Sequence, residues 1–312
     1  MSIDTASARA SSSRRSHIIE DQSALTDVVI DAMSKTSDAR LREIVAAFVR
    51  HMHAFAREVR LTEPEFERGV DFLNRIGQTT NDTHNEGILF SDAIGFSTLV
   101  CLLNNGLAGA TETASALLGP FWRMNSPPTA NGGSIVRSPT PGPALFAHCR
   151  ITDPRGAPLA GVEVDVWQAS PVGLYENQDE TQADMNLRGK FMTDADGRFW
   201  FRSVKPAGYP VPTHGPVGEM LRAQDRHPYR PAHLHVLAFK PGFKTLITQV
   251  FVDDDERLDS DVVFGVTRQL VGKYQQGVGA PPASDVDGPW YRLDYAFVME
   301  PGEATLPAPP IK

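Results

Sequence analysis

The hydrophobic pattern of this chain changes period once, and that change limits what it can fold into. Through the first third, Leu41, Ile44, Val45, Phe48, Val49, Met52, Phe55 and Val59 recur at a helical spacing and form one stripe. Near Gly119-Pro120-Phe121 the spacing ends. From about Asn125, glycine and proline punctuate short β-rich runs, and Val162-Glu163-Val164-Asp165-Val166-Trp167 alternates at period two. A helical period laid out as a strand sends apolar groups to both faces, so the two halves need different architectures. The fold class expected is α+β, an N-terminal helical domain followed by an antiparallel β-sandwich. The divisions read as a mobile tail over 1–20, a helical domain over 21–124 and a sandwich over 125–312.

Local signals fill in the elements. Ser37 or Asp38 can cap the first long helix. Thr62-Glu63-Pro64-Glu65 is a capping box with proline in the first turn, and Ile76-Gly77 reads as that helix's end. A third helix is expected from Glu86 to Leu103, stopped by Asn104-Asn105-Gly106. Asp196-Gly197 between two β-rich runs predicts a hairpin. Pro231–Phe239 is apolar on both faces apart from its histidines, so it reads as a buried central strand, with Thr245–Val252 and Tyr291–Val298 following.

With 41% hydrophobic residues and a net charge of −8, the chain reads as globular and lacks the basic footprint of a nucleic-acid binder. No apolar run approaches the length of a membrane span. Arg14-Arg15 is followed by Ser16-His17-Ile18-Ile19-Glu20-Asp21 rather than a long apolar region, so no signal peptide is expected and the cytoplasm is the default location. Cys101 and Cys149 are far apart and read as small buried hydrophobes, which leaves oxygen and nitrogen donors for any metal.

Such donors occur together. In Arg230-Pro231-Ala232-His233-Leu234-His235 the two histidines alternate, so on a strand both imidazoles reach one point. Tyr175 in Gly173-Leu174-Tyr175 and Tyr209 in Gly208-Tyr209-Pro210 sit beside glycines, where a loop presents a side chain instead of packing it. Two phenolates and two imidazoles are a hard set suited to ferric iron. Each residue alone has a plainer reading: a core histidine, a tyrosine covering the sandwich edge, an Arg230 salt bridge at a strand end. Asp194-Ala195-Asp196-Gly197 lacks the remaining ligands of a calcium loop, Asp253-Asp254-Asp255-Glu256 reads as a solvated acidic cluster, and His214 and His227 read as solvent-facing loop residues.

Taken jointly, these residues resemble the intradiol ring-cleavage dioxygenases, non-haem ferric enzymes that open catechols between the two hydroxyls. The likeness rests on Leu117-Leu118-Gly119-Pro120-Phe121, Val164-Asp165-Val166-Trp167-Gln168, Gly208-Tyr209-Pro210-Val211-Pro212 and the Arg230–His235 run, and it spans most of the chain. Met185–Gly189, Arg198–Ser203, Arg226–Arg230 and Asp287–Tyr291 look most like the members that cleave hydroxyquinol (benzene-1,2,4-triol); Gly208 also looks like the catechol-cleaving ones. Catechol and chlorocatechol therefore stay open as substrates, and a non-enzymatic sandwich binding protein is the alternative from another class.

The resemblance implies Fe(III) held by Tyr175, Tyr209, His233 and His235, with O2 and a small aromatic diol or triol as reactants. Tyr209 would leave the metal carrying a substrate proton, Arg230 would stabilise negative charge on the ring, and Gln249 would hydrogen-bond near the iron. Leu89, Asp92, Leu117, Gly119, Pro120 and Val211 would line the substrate pocket, Asp92 accepting a hydrogen bond from a triol's extra hydroxyl. It further implies a homodimer through the helical part, with room for a phospholipid at the interface.

Overall fold

The computed structural model describes residues 18–19, 21–82, 84–105 and 112–310, so most of the expected tail and Gly106 lie outside the described residues. The chain divides into two compact units, 1–71 and 72–312, whereas the sequence places the boundary after 124. The helices and the Gly-Pro segment between 72 and 124 therefore group with the strands.

In the first unit α1 (Leu25–Ala32) packs on α2 (Ala39–Glu58), where the Thr26 hydroxyl meets His53 Nδ1 at 3.0 Å. Asp38 is the cap of α2, accepting from the amides of Arg40 and Leu41. The α2 stripe faces outward: Leu41, Phe48 and Phe55 are 50%, 62% and 48% exposed. The helix α3 (Glu63–Thr79) opens on the expected capping box, with the Thr62 amide and hydroxyl both donating to Glu65 at 2.9 and 2.7 Å. It runs past Gly77 to Thr79, because one glycine costs a helix only about 1 kcal/mol and ends it only when φ turns positive.

At Gly95 φ is positive, at +73°. The expected third helix is accordingly two, α4 (Glu86–Ala93) and α5 (Phe96–Asn105), bent by 76°. The bend follows from backbone geometry that side chains other than glycine rarely adopt. No single described helix is long and apolar enough to cross a membrane. A short α6 (Pro216–Ala223) starts with proline in its first turn.

The strands are β1 (Ala144–Thr152), β2 (Glu163–Trp167), β3 (Arg188–Met192), β4 (Arg198–Val204), β5 (Tyr209–Pro210), β6 (Tyr229–Arg230), β7 (His233–Phe239), β8 (Leu246–Val252), β9 (Val271–Gly272), β10 (Tyr274–Gln276) and β11 (Trp290–Val298). One sheet has the order β10-β11-β1-β4 and the other β3-β2-β7-β8-β9, with β5 and β6 forming a two-stranded ribbon. The sandwich is mixed, not purely antiparallel, because β1 pairs with β11 and β8 with β9 in parallel. The Asp196-Gly197 turn joins no hairpin. It carries the chain from β3 in one sheet to β4 in the other, with Asp194 Oδ1 accepting from the amides of Asp196 and Arg198.

Alternation sorts the side chains of β7. Leu234, Val236 and Ala238 enter the core between the sheets with Leu145, Ile151, Val164, Phe199, Val250 and Phe297. The intervening His233 and His235 must therefore point to the outer face of the five-stranded sheet. That face is covered too, by Phe121, Trp122, Tyr175 and Tyr209, and β7 lies between β2 and β8 as a buried central strand.

Candidate metal centre

Cross-strand register builds the floor of the site. His235 stands opposite Gln249 on β8 and Trp167 on β2, and Trp167 stands opposite Arg188 on β3. The Trp167 ring stacks on His235 at 4.6 Å and 9°, fixing the plane of the imidazole. Two other segments close over this floor. Tyr175 enters as the residue before a short 3-10 turn, its ring stacked on Phe121 at 4.5 Å. Tyr209 enters on β5, opposite Arg230 on β6. Both rings are buried, at 1% and 5% exposure, so these loop tyrosines are packed as well as presented.

The glycine before Tyr209 has a local cause. A Cβ on Gly208 would lie 2.7 Å from the Arg230 carbonyl oxygen, so the close approach of β5 to β6 requires it. Its presence reports backbone packing.

Four donor atoms converge. His233 Nε2 is 3.1 Å from His235 Nε2, which is 3.1 Å from the Tyr175 hydroxyl, itself 3.4 Å from the Tyr209 hydroxyl. Metal–ligand bonds of about 2.0–2.1 Å at angles of about 90–110° separate neighbouring donors by roughly 2.9–3.4 Å, so the spacing fits a shared cation. His233 Nδ1 lies 2.7 Å from the Pro231 carbonyl, which it can only donate to, leaving its Nε2 lone pair for a ligand role. Among the described residues no group of three or more His, Cys, Asp and Glu is placed to hold a metal, so a four-donor set here has to use the tyrosines.

The electrostatics favour the same use. Burial, aided by the Arg230 charge, pushes His233 down to about 3, and burial with His233 and Arg230 beside it pushes His235 well down, so both rings are neutral. Burial, with Tyr209 adjacent, raises the Tyr175 phenol well above its ordinary value, so it ionises only against a bound cation. Two phenolates balance most of a trivalent charge, a hard oxygen environment.

Arg230 is 4% exposed and held on three sides. Its Nε and Nη2 donate to Asp261 at 3.2 Å each, Nη2 also donates to Gln249 Oε1 at 2.9 Å, and Nη1 is 3.3 Å from His233 Nε2. Burial opposes its charge, but Asp261 together with Tyr209 and Tyr175 outweighs burial and holds the guanidinium protonated. Gln249 is fixed in turn by donating to the Leu117 carbonyl at 2.8 Å.

A cavity of about 1000 Å³ opens onto Tyr209 and Arg230, and Leu89, Asp92, Leu117, Gly119, Pro120 and Val211 all line it. Glu86, Leu89, Asp92 and Ala93 are the buried residues of α4, one helical face turned inward. Burial raises the Asp92 carboxyl above its ordinary range, against the lowering influence of Ser97 and Arg230. His214 is exposed, as the sequence reading expects, and stands at the rim of the cavity with its ring 5.1 Å from that of His84. His227 is only partly buried and lies outside this cavity.

Sequence reasoning missed Asp261, which lies in a loop with no motif, and the pair Arg188 and Glu176. The need of Arg230 for an anionic partner was the one available signal for Asp261. The acidic cluster at 253–256 is structural, not merely solvated: Asp255 accepts the Ala232 amide at 2.8 Å, beside the first histidine, and Asp254 binds Lys205. Neither cysteine forms a disulfide, and Cys101 is half-buried where full burial was expected.

Comparison with known proteins places this geometry. Residues 118–300 match the family model described as dioxygenase, and residues 38–111 match the catechol dioxygenase N terminus. A hydroxyquinol 1,2-dioxygenase from Rhizobium sp. is 42% identical over 91% of this chain and 96% of its own. A catechol 1,2-dioxygenase from Candida albicans is 39% identical over 87% and 90%. The crystal structure of hydroxyquinol 1,2-dioxygenase from Pseudomonas putida matches with a TM-score of 0.83 and 38% identity, covering 90% of this chain and 99% of that one. On these matches, which span both the helical part and the sandwich, the chain belongs to the intradiol ring-cleavage dioxygenase family and is an enzyme.

Proposed function

We propose that the enzyme uses O2 to cleave hydroxyquinol between its adjacent hydroxyls, with Fe(III) held by Tyr175, Tyr209, His233 and His235. The convergence of those four donor atoms at the wall of a cavity that also holds a buried carboxylate, Asp92, carries the reading. When bound, ferric iron would supply the Lewis acidity that draws a deprotonated diol and O2 into reaction.

The protein's own groups divide the remaining tasks. Of the four ligands Tyr209 is the one that lines the cavity, so it is placed to yield its position to the substrate and take up a substrate proton at its hydroxyl. Arg230, fixed by Asp261 and Gln249, stabilises negative charge developing on the ring, and it does so without reorganising. Gln249 holds the Arg230 side chain against the His235 edge of the site, 3.4 Å from Nδ1. Leu89, Leu117 and Val211 pack on the ring and exclude water, while Gly119 and Pro120 set the depth of the wall. Asp92 accepts the third hydroxyl, a group that catechol lacks.

Catechol remains the second reading, favoured by the Candida albicans relative. The exposed α2 stripe supports a homodimer that buries Leu41, Phe48 and Phe55, with an apolar seam suited to a phospholipid. Cysteines outside any disulfide suit a cytoplasmic location.

The test is the visible spectrum of the iron-loaded protein before and after anaerobic hydroxyquinol. A wine-red band that moves to longer wavelength on substrate addition, and that Tyr175→Phe weakens and shifts to what Tyr209 alone supplies while turnover is lost, is expected. A colourless protein after iron reconstitution, or an unchanged band in Tyr175→Phe, would overturn the ligand assignment.

A further inference from the structure

Beside Tyr175, buried at Arg188 and Glu176 and reaching the cavity wall through Arg123 and Asp184, lies an ionic cluster that the reaction above does not use. Arg188, at the start of β3, is 1% exposed. Its Nε donates to Glu176 Oε1 at 2.6 Å, but both Nη atoms have no hydrogen-bond partner, and neither has Glu176 Oε2. Glu176 directly follows Tyr175. Its Oε1 also accepts from Arg123 Nη1 at 2.9 Å, and Arg123 reaches out to Asp184, whose side chain is 76% exposed. Two guanidiniums therefore share one buried carboxylate oxygen, and the inner part of the cluster is net cationic, since the second carboxylate is screened by solvent. The Arg188 guanidinium carbon lies 6.0 Å from the centre of the Tyr175 ring. In cross-strand register Arg188 also stands opposite Trp167, the ring stacked on His235.

A cation buried with two donor atoms unmatched is unfavourable unless some state of the molecule uses its charge. Tyr175 provides such a state, because its phenol becomes anionic when it binds a metal. We infer that Arg188 is a positioning residue for Tyr175: its buried positive charge offsets the phenolate, and the Glu176 link fixes the turn from which Tyr175 projects. The inference rests on Tyr175 being a ligand to Fe(III). Glu176 sets the strength of the effect, since it neutralises part of the Arg188 charge.

The experiment compares full-length wild type, Tyr175→Phe, Arg188→Met, Arg188→Lys and Glu176→Gln. Each is loaded with Fe(III) and read by the visible tyrosinate band and by loss of iron to a hydroxamate chelator. Arg188→Met raises the energy of the phenolate electrons, so the band moves to longer wavelength. A unit charge lost at 6.0 Å, with an effective dielectric of about 20–40, should disfavour the phenolate form of Tyr175 by about 10- to 100-fold. Arg188→Lys restores most of the band position. Glu176→Gln unmasks positive charge and moves the band the opposite way, to shorter wavelength, a sign that lost packing does not produce. If Arg188→Met fails to fold, the sign in Glu176→Gln decides alone. With the wild-type band weakened and shifted by Tyr175→Phe, an unmoved band in the folded Arg188 and Glu176 variants shows that Arg188 only packs. A band in Tyr175→Phe with the position and intensity of the wild type removes the ligand reading, and this inference with it.

Discussion

Replacing Asp261 by alanine isolates the electrostatic cost of keeping Arg230 in place. The Asp261 side chain is 2% exposed and meets the guanidinium at Nε and Nη2, 3.2 Å each, while also accepting the amides of Val263 and Gly265 at 3.3 and 3.0 Å. Without it Arg230 stays buried with Gln249 Oε1 as its one close oxygen acceptor among the described residues. Breaking a buried pair in this way costs about 3–5 kcal/mol. A cooperative unit of this size loses about 2–4 °C per kcal/mol, so Asp261→Ala should melt roughly 6–20 °C below wild type at pH 7. The pair Arg230→Met with Asp261→Leu removes both charges and should recover most of that loss, although activity will be absent. Burial opposes the Asp261 charge, yet Arg230 and the amide hydrogen bond from Val263 together help outweigh it and hold the folded carboxyl below its ordinary value. Its contribution is therefore full above the unfolded pKa of about 3.9 and is lost as pH falls through the lower folded value. Wild type should lose stability over that acid range more steeply than Asp261→Ala. A single variant that melts within about 2 °C of wild type, or a double variant as unstable as the single, would refute the reasoning.

Gly208→Ala forces a Cβ to within 2.7 Å of the Arg230 carbonyl, and should cost about 1–3 kcal/mol while lowering kcat by displacing Tyr209; unfolding and steady-state kinetics on one preparation check both. Asp92 has its folded carboxyl raised by burial, so its ionisation opposes folding as pH rises above about 3.9 and does so fully above the folded value. Asp92→Asn should thus raise Tm slightly at neutral pH and lower the hydroxyquinol-to-catechol ratio of kcat/KM by about tenfold or more; an unchanged ratio would place the third hydroxyl elsewhere. Gln249→Ala frees Arg230 on one side and should lower kcat by about 10–100-fold at unchanged iron content, so loss of iron instead would assign Gln249 to the metal's support.

The helices and the histidine strand were legible because their information is local: caps, periods and a proline-initiated turn act within a few residues. The Gly95 break was missed because an apolar run continues on both sides of it, and only the backbone angle reveals the bend. The Asp196-Gly197 turn misled for the converse reason. Its chemistry specifies a tight reversal but not which sheet receives the next strand, a choice made by the pairing of β4 with β1. The proposed ligand quartet could be read as a set because two of its members share a strand face. Asp261, Arg188 and Glu176 carry no such pattern, since what joins them to the site is tertiary contact between distant segments.

The parallel pairing of β1 with β11 aligns Ala144 with Trp290 and encloses every proposed metal ligand in the chain between them. A closure of that span delays its reward until nearly all of the intervening chain has been ordered, which makes for a high contact order and slow refolding. During synthesis β1 and β4 wait with an open edge until residues 290–298 leave the ribosome, exposed meanwhile to mispairing with another nascent chain. Mature enzyme should accordingly accumulate best where growth is slow or chaperones are abundant, and the histidine face should acquire its metal only after synthesis has passed β11.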